Sequence, residues 1–214
     1  MPASTFNTIG AVNGIGGMSK IAGTPLEQGG KPLVVYIGAE YCPFCAAERW
    51  PLVAALSRFG TFTDLGSTHS ATNDVYPNTP TFSFKDAKYA SKYLALQTVE
   101  LYGNRPVDGK YPPLQRPTAQ QNALIQKYDP KGTIPFIYLG KYLQTDASYN
   151  PQILAGMSMQ QVAHAMRDTN TDQSIAILGT ANQITAALCA QTGGRPGNVC
   201  STPAVTAAAK HLPG

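Results

Sequence analysis

The sequence predicts an α/β protein, a mixed sheet flanked by helices, on three observations. The apolar, largely β-branched run from Leu33 to Ile37 reads as a strand covered on both faces, because such strands lack polar alternation. It feeds through Gly38 into Cys42-Pro-Phe-Cys45 and a stretch of small, helix-favouring residues, giving strand, turn and helix. The last third, from Ser158, carries apolar residues at helical spacing.

A chain of 214 residues with 43% hydrophobic content can bury a substantial core, so one elaborated domain is expected over residues 31–214. Residues 1–30 are rich in glycine and poor in large apolar side chains, which predicts a loop-rich segment with a short strand around Phe6 to Val12. Gly14-Ile-Gly-Gly17 lacks both the dinucleotide spacing and the Walker lysine, which argues against a phosphate loop. The abrupt Gly/Ala/Asn/Ser-rich opening predicts that the native chain carries an export signal or membrane anchor ahead of it. No apolar run within the sequence approaches the roughly 20 residues that span a bilayer. Only 13% of residues are charged, and the net charge of +4 is spread without three basic residues in a row, which argues against nucleic acid as a partner.

In chain order, Pro43 sits at a first-turn position that tolerates proline, and Gly60 closes the helix after the motif. Thr61 to Leu65 predicts the next strand, and Gly66 to Asp74, with His69, a solvated polar loop. Thr81 to Phe84 alternates as a half-buried strand, and Tyr93 to Tyr102 supplies another. Pro106, Pro112, Pro113 and Pro117 make Gly103 to Pro117 irregular, after which Thr118 caps a helix to Tyr128. Thr133 to Leu139 predicts a second buried strand, paired with Lys141 to Thr145 across the turn at Gly140. Ser158 starts a helix to Met166, Thr171 or Asp172 a longer one to Cys189, and Pro203 to Lys210 a short last one.

The chemistry lies in the motif. Both sulfurs fall in the first helical turn, where free amides and the positive end of the dipole favour a thiolate. Cys42, nearer the expected mouth, is the candidate nucleophile, and Cys45, one turn inward, the candidate resolving thiol, for thiol–disulfide exchange. Cys189 and Cys200 flank a turn-rich loop able to bring them together, and a bridge there argues for an oxidising, extracytoplasmic location. Two buried free thiols are the other reading of that pair.

Glu40-Tyr-Cys-Pro-Phe-Cys45 between strand and helix resembles the active-site segment of the thioredoxin superfamily, and Cys-Pro-Phe-Cys is similar to the Cys-Pro-aromatic-Cys of glutaredoxins and to the Cys-Pro-His-Cys of periplasmic oxidants. Thr133-Ile-Pro-Phe-Ile-Tyr-Leu139 resembles the superfamily's cis-proline strand. The resemblance implies a thioredoxin-like mixed sheet, a cis Ile134–Pro135 peptide opposite the dithiol, and substrate contacts from Tyr41, Phe44, Ile134 and Pro135. The Ile134 backbone would then pair with an extended substrate segment as an added strand. Protein thiols or disulfides and a redox partner are implied, with no cofactor.

Tyr-Cys-Pro-Phe-Cys-Ala-Ala-Glu-Arg-Trp50, with Tyr76-Pro-Asn-Thr-Pro-Thr-Phe82, is similar to the family called domain of unknown function 929, from about Lys31 to the C-terminal helices. There are departures from the superfamily. Tyr36 stands where thioredoxins carry a buried acid, six residues before the first cysteine, which leaves Glu48 as the candidate proton acceptor if it turns inward. Cys45 and Pro135 are 90 residues apart, so an insertion, about residues 66–130, is expected, together with extra C-terminal helices.

Two rival readings remain at this level. A metal centre needs more ligands than one Cys-X-X-Cys supplies, and Cys189 and Cys200 have the wrong spacing to complete it, so no metal is expected. A non-catalytic thioredoxin-like binding module, its dithiol a structural disulfide, is kept open by the missing acid at Tyr36. Phe44 cannot donate a hydrogen bond to a thiolate, which argues against a strong oxidant.

Overall fold

The computed structural model describes residues 1–12 and 16–214, so Gly14 and Ile15 of the glycine-rich stretch lie outside the described residues. The chain runs α1 (Ala3–Ile9), β1 (Met18–Lys20), β2 (Glu27–Gln28), β3 (Lys31–Gly38) and α2 (Pro43–Leu56). Four short strands follow, β4 (Gly60–Thr63), β5 (Gly66–His69), β6 (Pro80–Ser83) and β7 (Lys88–Ser91), then β8 (Ala95–Glu100) and α3 (Ala119–Tyr128). The last part holds β9 (Phe136–Leu139), β10 (Tyr142–Thr145), a 3-10 turn (Pro151–Leu154), α4 (Met159–Ala165), α5 (Asp172–Gln191), α6 (Gly197–Cys200) and α7 (Pro203–Ala209).

The fold is α/β around a mixed sheet. β3 is its centre, pairing in parallel with β8 from Leu33↔Ala95 to Gly38↔Glu100 and antiparallel with β9, which continues to β10 and β1. The unbroken apolar run of β3 is explained by cover on both faces. Leu33, Val35 and Ile37 join Phe136, Tyr138 and Leu124 of α3 in one cluster, while Val34 and Tyr36 join α2 and α5 in a larger one. β8 and α3 lie within residues 66–130, yet β8 is a strand of the main sheet; what stands apart from that sheet is the two antiparallel pairs β4–β7 and β5–β6, the second nested within the first.

Two local expectations fail for tertiary reasons. Phe6 to Val12 was expected as a strand, but α1 forms there. Phe6 is buried, and Asn182 of α5 donates from Nδ2 to the carbonyls of Phe6 (3.0 Å) and Gly10 (2.8 Å), satisfying the helix end from outside. Within residues 1–30, expected to be loop-rich, β1 extends the sheet beyond β10 and β2 pairs with the start of β3. The loop expected at Gly66 to Asp74 opens with β5, which has no apolar side chain and so no alternation to mark it. His69 belongs to β5 and is half-buried, its Nδ1 lying 2.7 Å from the Ser70 carbonyl.

Pro51 stands inside α2, where it cannot donate to the Ala47 carbonyl. The Tyr149 hydroxyl donates to that oxygen instead at 2.6 Å, so the helix continues intact to Leu56. Trp50 ties the β5–β6 pair to α2 through its indole N–H, bonded to the Pro80 carbonyl at 2.8 Å.

Cys189, near the end of α5, and Cys200, closing α6, form a disulfide across a sequence separation of 11. Closing a loop of that size contributes about 3 kcal/mol in the chain-entropy model. The double variant Cys189→Ala/Cys200→Ala is therefore expected to lose about 3 kcal/mol of stability in urea titration, with the alkylation rate of Cys42 unchanged.

Candidate active site

Cys42 is the N-cap residue of α2, with extended backbone (φ −76°, ψ 120°), and its Sγ accepts the amide N–H of Cys45 at 3.2 Å. Sulfur thus holds the place usually taken by a serine or aspartate oxygen, and a negative sulfur there satisfies an otherwise orphan helix donor. The turn from Gly38 to Tyr41 sets this position, with the Cys42 N–H bonded to the Ala39 carbonyl at 3.3 Å. Opposite stands the start of β9. The Ile134–Pro135 peptide is cis, and the Ile134 carbonyl oxygen lies 4.0 Å from Cys42 Sγ. Tyr41, Phe44, Leu101 and Ile134 pack around Ala39, Cys42 and Cys45, so the predicted contact residues do converge on the dithiol, with Pro135 next in the chain to Ile134.

Cys45 is fully buried and Cys42 retains 5% exposure, less than the open mouth expected from the sequence. Tyr41 and Phe44, packed on the dithiol, meet further aromatic rings from distant loops. Tyr41 stacks on Tyr111 at 4.4 Å, with Tyr102 beyond it at 6.2 Å, and Phe44 meets Tyr76 edge-on at 5.8 Å.

The two thiols are driven apart electrostatically. A hydrogen bond from the Cys45 thiol, with help from the Cys45 and Phe44 amides and the Arg49 guanidinium, holds Cys42 below the usual thiol range against the effect of burial. Burial pushes Cys45 well above that range, and the proton it shares with Cys42 and the negative charge of Cys42 push it further. One thiol is thus poised to ionise while its neighbour keeps its proton.

Beneath them lies a pair that sequence reasoning missed. Arg49 and Glu100 are both fully buried, and the guanidinium grips the carboxylate through Nε (2.9 Å) and Nη2 (2.6 Å), with Nη2 also bonded to the Ala39 carbonyl at 2.9 Å. The signal was present, since Arg49 is four residues after Cys45 and so shares its helix face. Glu100, 51 residues further on, carried no comparable mark. Tyr36, at the position where the resemblance would place an acid, has a buried hydroxyl without a partner among the described residues, and burial holds its pKa well above the ordinary tyrosine value.

Glu48 does turn inward, but its hydrogen bonds run to Ser148, from the N–H at 2.8 Å and from Oγ at 3.1 Å, and not to Cys45. Burial pushes its carboxyl up to about 8. The disulfide between Cys189 and Cys200 removes both from any ligand set with the dithiol. Among the described residues, no group of three or more His, Cys, Asp or Glu side chains could hold a metal ion.

No curated protein and no solved structure matches the chain. Residues 18–190 match the family described as Domain of unknown function (DUF929), a stretch that runs from β1 into the last turn of α5 and contains the whole dithiol site, and the chain therefore belongs to that family.

Proposed function

We propose that the protein is a thiol–disulfide oxidoreductase with a thioredoxin-like core, exchanging protein disulfides through Cys42 and Cys45. The reading rests on one observation, Cys42 Sγ capping α2 while facing the cis Ile134–Pro135 segment. In the reductive direction the Cys42 thiolate attacks one sulfur of a substrate disulfide, forming a mixed disulfide and expelling the other sulfur as a thiolate that takes up a proton. Cys45 then loses its proton and attacks Cys42 Sγ. The Cys42–Cys45 disulfide forms, the second substrate thiolate leaves and is protonated, and two electrons have passed to the substrate. Once Cys42 is bound to substrate, its negative charge no longer holds the Cys45 pKa up, so the resolving step is eased by the first.

Tyr41, Phe44, Ile134 and Pro135 are the proposed substrate contacts, and Glu48, bonded to Ser148, has no direct part in the exchange. The Cys189–Cys200 disulfide supports an extracytoplasmic location, because cytosolic thiols are kept reduced. The partners in this reading are protein thiols or disulfides and a second redox protein.

Insulin reduction and oxidative refolding of a disulfide protein, compared with Cys42→Ser, test the reading. Turnover that falls to background in the variant is the expected result. Equal rates in both proteins would overturn it and favour a non-catalytic binding module, a reading to which the 5% exposure of Cys42 lends weight.

A further inference from the structure

We propose that Arg49, held from below by Glu100, is the positioning residue that stabilises the thiolate form of the dithiol and so makes the Cys42–Cys45 couple more oxidising than residue 44 implies. The inference rests on the redox reading of the site and names what tunes it.

Burial raises the first question. An ion pair with both partners fully buried is costly to desolvate, and a well-packed apolar pair of similar volume is often as stable or more so. Stability alone therefore gives weak reason for this pair. Its placement gives a stronger one. Arg49 follows Cys45 by four residues on α2, which stacks the guanidinium one turn below the inner thiol. Its bond to the Ala39 carbonyl ties it to the residue against which both cysteines pack. Glu100 holds Nε and Nη2, leaving Nη1 buried and without a partner among the described residues. Because the guanidinium is a rigid planar fork, fixing two nitrogens fixes the third.

Among the described residues, the charged and titratable groups about the dithiol are Tyr36 of β3, Glu40 and Tyr41 of the turn, Tyr76, Tyr102 and Tyr111 around Tyr41 and Phe44, Asp74 of the loop between β5 and β6, Glu100 of β8 and Arg49 itself. Arg49 is the cation among them. Burial keeps Tyr36 and Tyr41 protonated, and the Glu100 carboxylate is engaged by Arg49 and the Phe84 N–H at 3.3 Å. The guanidinium thus acts on both sulfurs in the sense that favours thiolate.

The redox consequence follows from charge. The disulfide is neutral and the reduced pair carries a thiolate, so a cation beneath favours the reduced state, and a couple whose reduced state is stabilised is the stronger oxidant. Arg49 supplies from within the helix what Phe44 cannot supply from between the cysteines.

Three variants test this, Arg49→Met, Glu100→Leu and the double variant, each read by the pH midpoint of iodoacetamide alkylation at Cys42 and by equilibration with glutathione. Arg49→Met is expected to raise the midpoint by about one pH unit and to shift the glutathione equilibrium about tenfold toward the disulfide, a potential about 30 mV lower. Glu100→Leu, which leaves the cation unopposed, is expected to shift both quantities the other way. Opposite signs separate a charge effect from mere loosening of the site, which would move both single variants alike.

The double variant leaves no buried charge unpaired, so it carries the test if a single variant fails to fold, and its midpoint is expected above that of the native protein. An unchanged midpoint in the double variant, or shifts of the same sign in the two singles, would overturn the proposal. Loss of insulin turnover in the native protein with these shifts intact would instead sink the enzymatic reading and leave the role of Arg49 standing.

Discussion

Glu48→Gln is expected to leave stability unchanged near pH 4 and to raise it by up to ~5 kcal/mol near pH 9. The effect comes from a carboxyl with no counter-charge. Glu48 is fully buried in α2, and the N–H and hydroxyl of Ser148 offset only part of the desolvation and the weaker repulsion from Asp146 that lift its pKa from 4.5 to about 8. A folded-state pKa above the unfolded one means that unfolding releases a proton between these two values. Stability is therefore fully present below about pH 4.5 and is lost as pH rises through about 8. Glutamine has no proton to lose. Its carbonyl can keep the Ser148 N–H and its amide can donate to Ser148 Oγ, so the packing is preserved. Urea unfolding of both proteins across this range checks the claim, and parallel stability curves would contradict it.

The second large effect is expected at the buried pair. Glu100→Leu leaves the Arg49 guanidinium in a site with no exposure and no counter-charge, and removing one partner of such a pair costs about 3–5 kcal/mol. Adding Arg49→Met removes the stranded charge and should recover most of that loss. The recovery is not complete, because the Phe84 N–H loses its bond to Glu100, and an orphaned buried group costs about 1–3 kcal/mol. Denaturant titration of the two singles and the double gives the coupling energy directly. Additive losses in the double variant would mean that Arg49 and Glu100 do not act as a unit.

What could be read from the sequence followed the range of the interactions involved. β3, α2 and β9 were legible because their apolar runs state their own burial. α3 and α4 were legible because Thr118 with Gln121, and Ser158 with Gln161, are complete capping boxes within four residues of chain. α1, β1 and β5 were not, since Asn182, β10 and β6, which hold them, lie elsewhere in the chain. The site divides in the same way. Two cysteines three apart and an Ile-Pro ahead of an apolar strand are local signals. Tyr102 and Tyr111, whose rings meet Tyr41, come from later in the chain, and no nearby residue announces their arrival. Helical geometry did point to Arg49, but a buried cation becomes readable only when its anion is known.

The pairing of Met18–Lys20 with Tyr142–Thr145 reaches beyond local architecture. A bare sheet margin is where separate chains zip together into fibrils, and natural proteins shield such margins with short, polar or charged strips. Three residues with a lysine at their end do that for β10, so an amino-terminal stretch that looks dispensable by composition covers what would otherwise be an open edge.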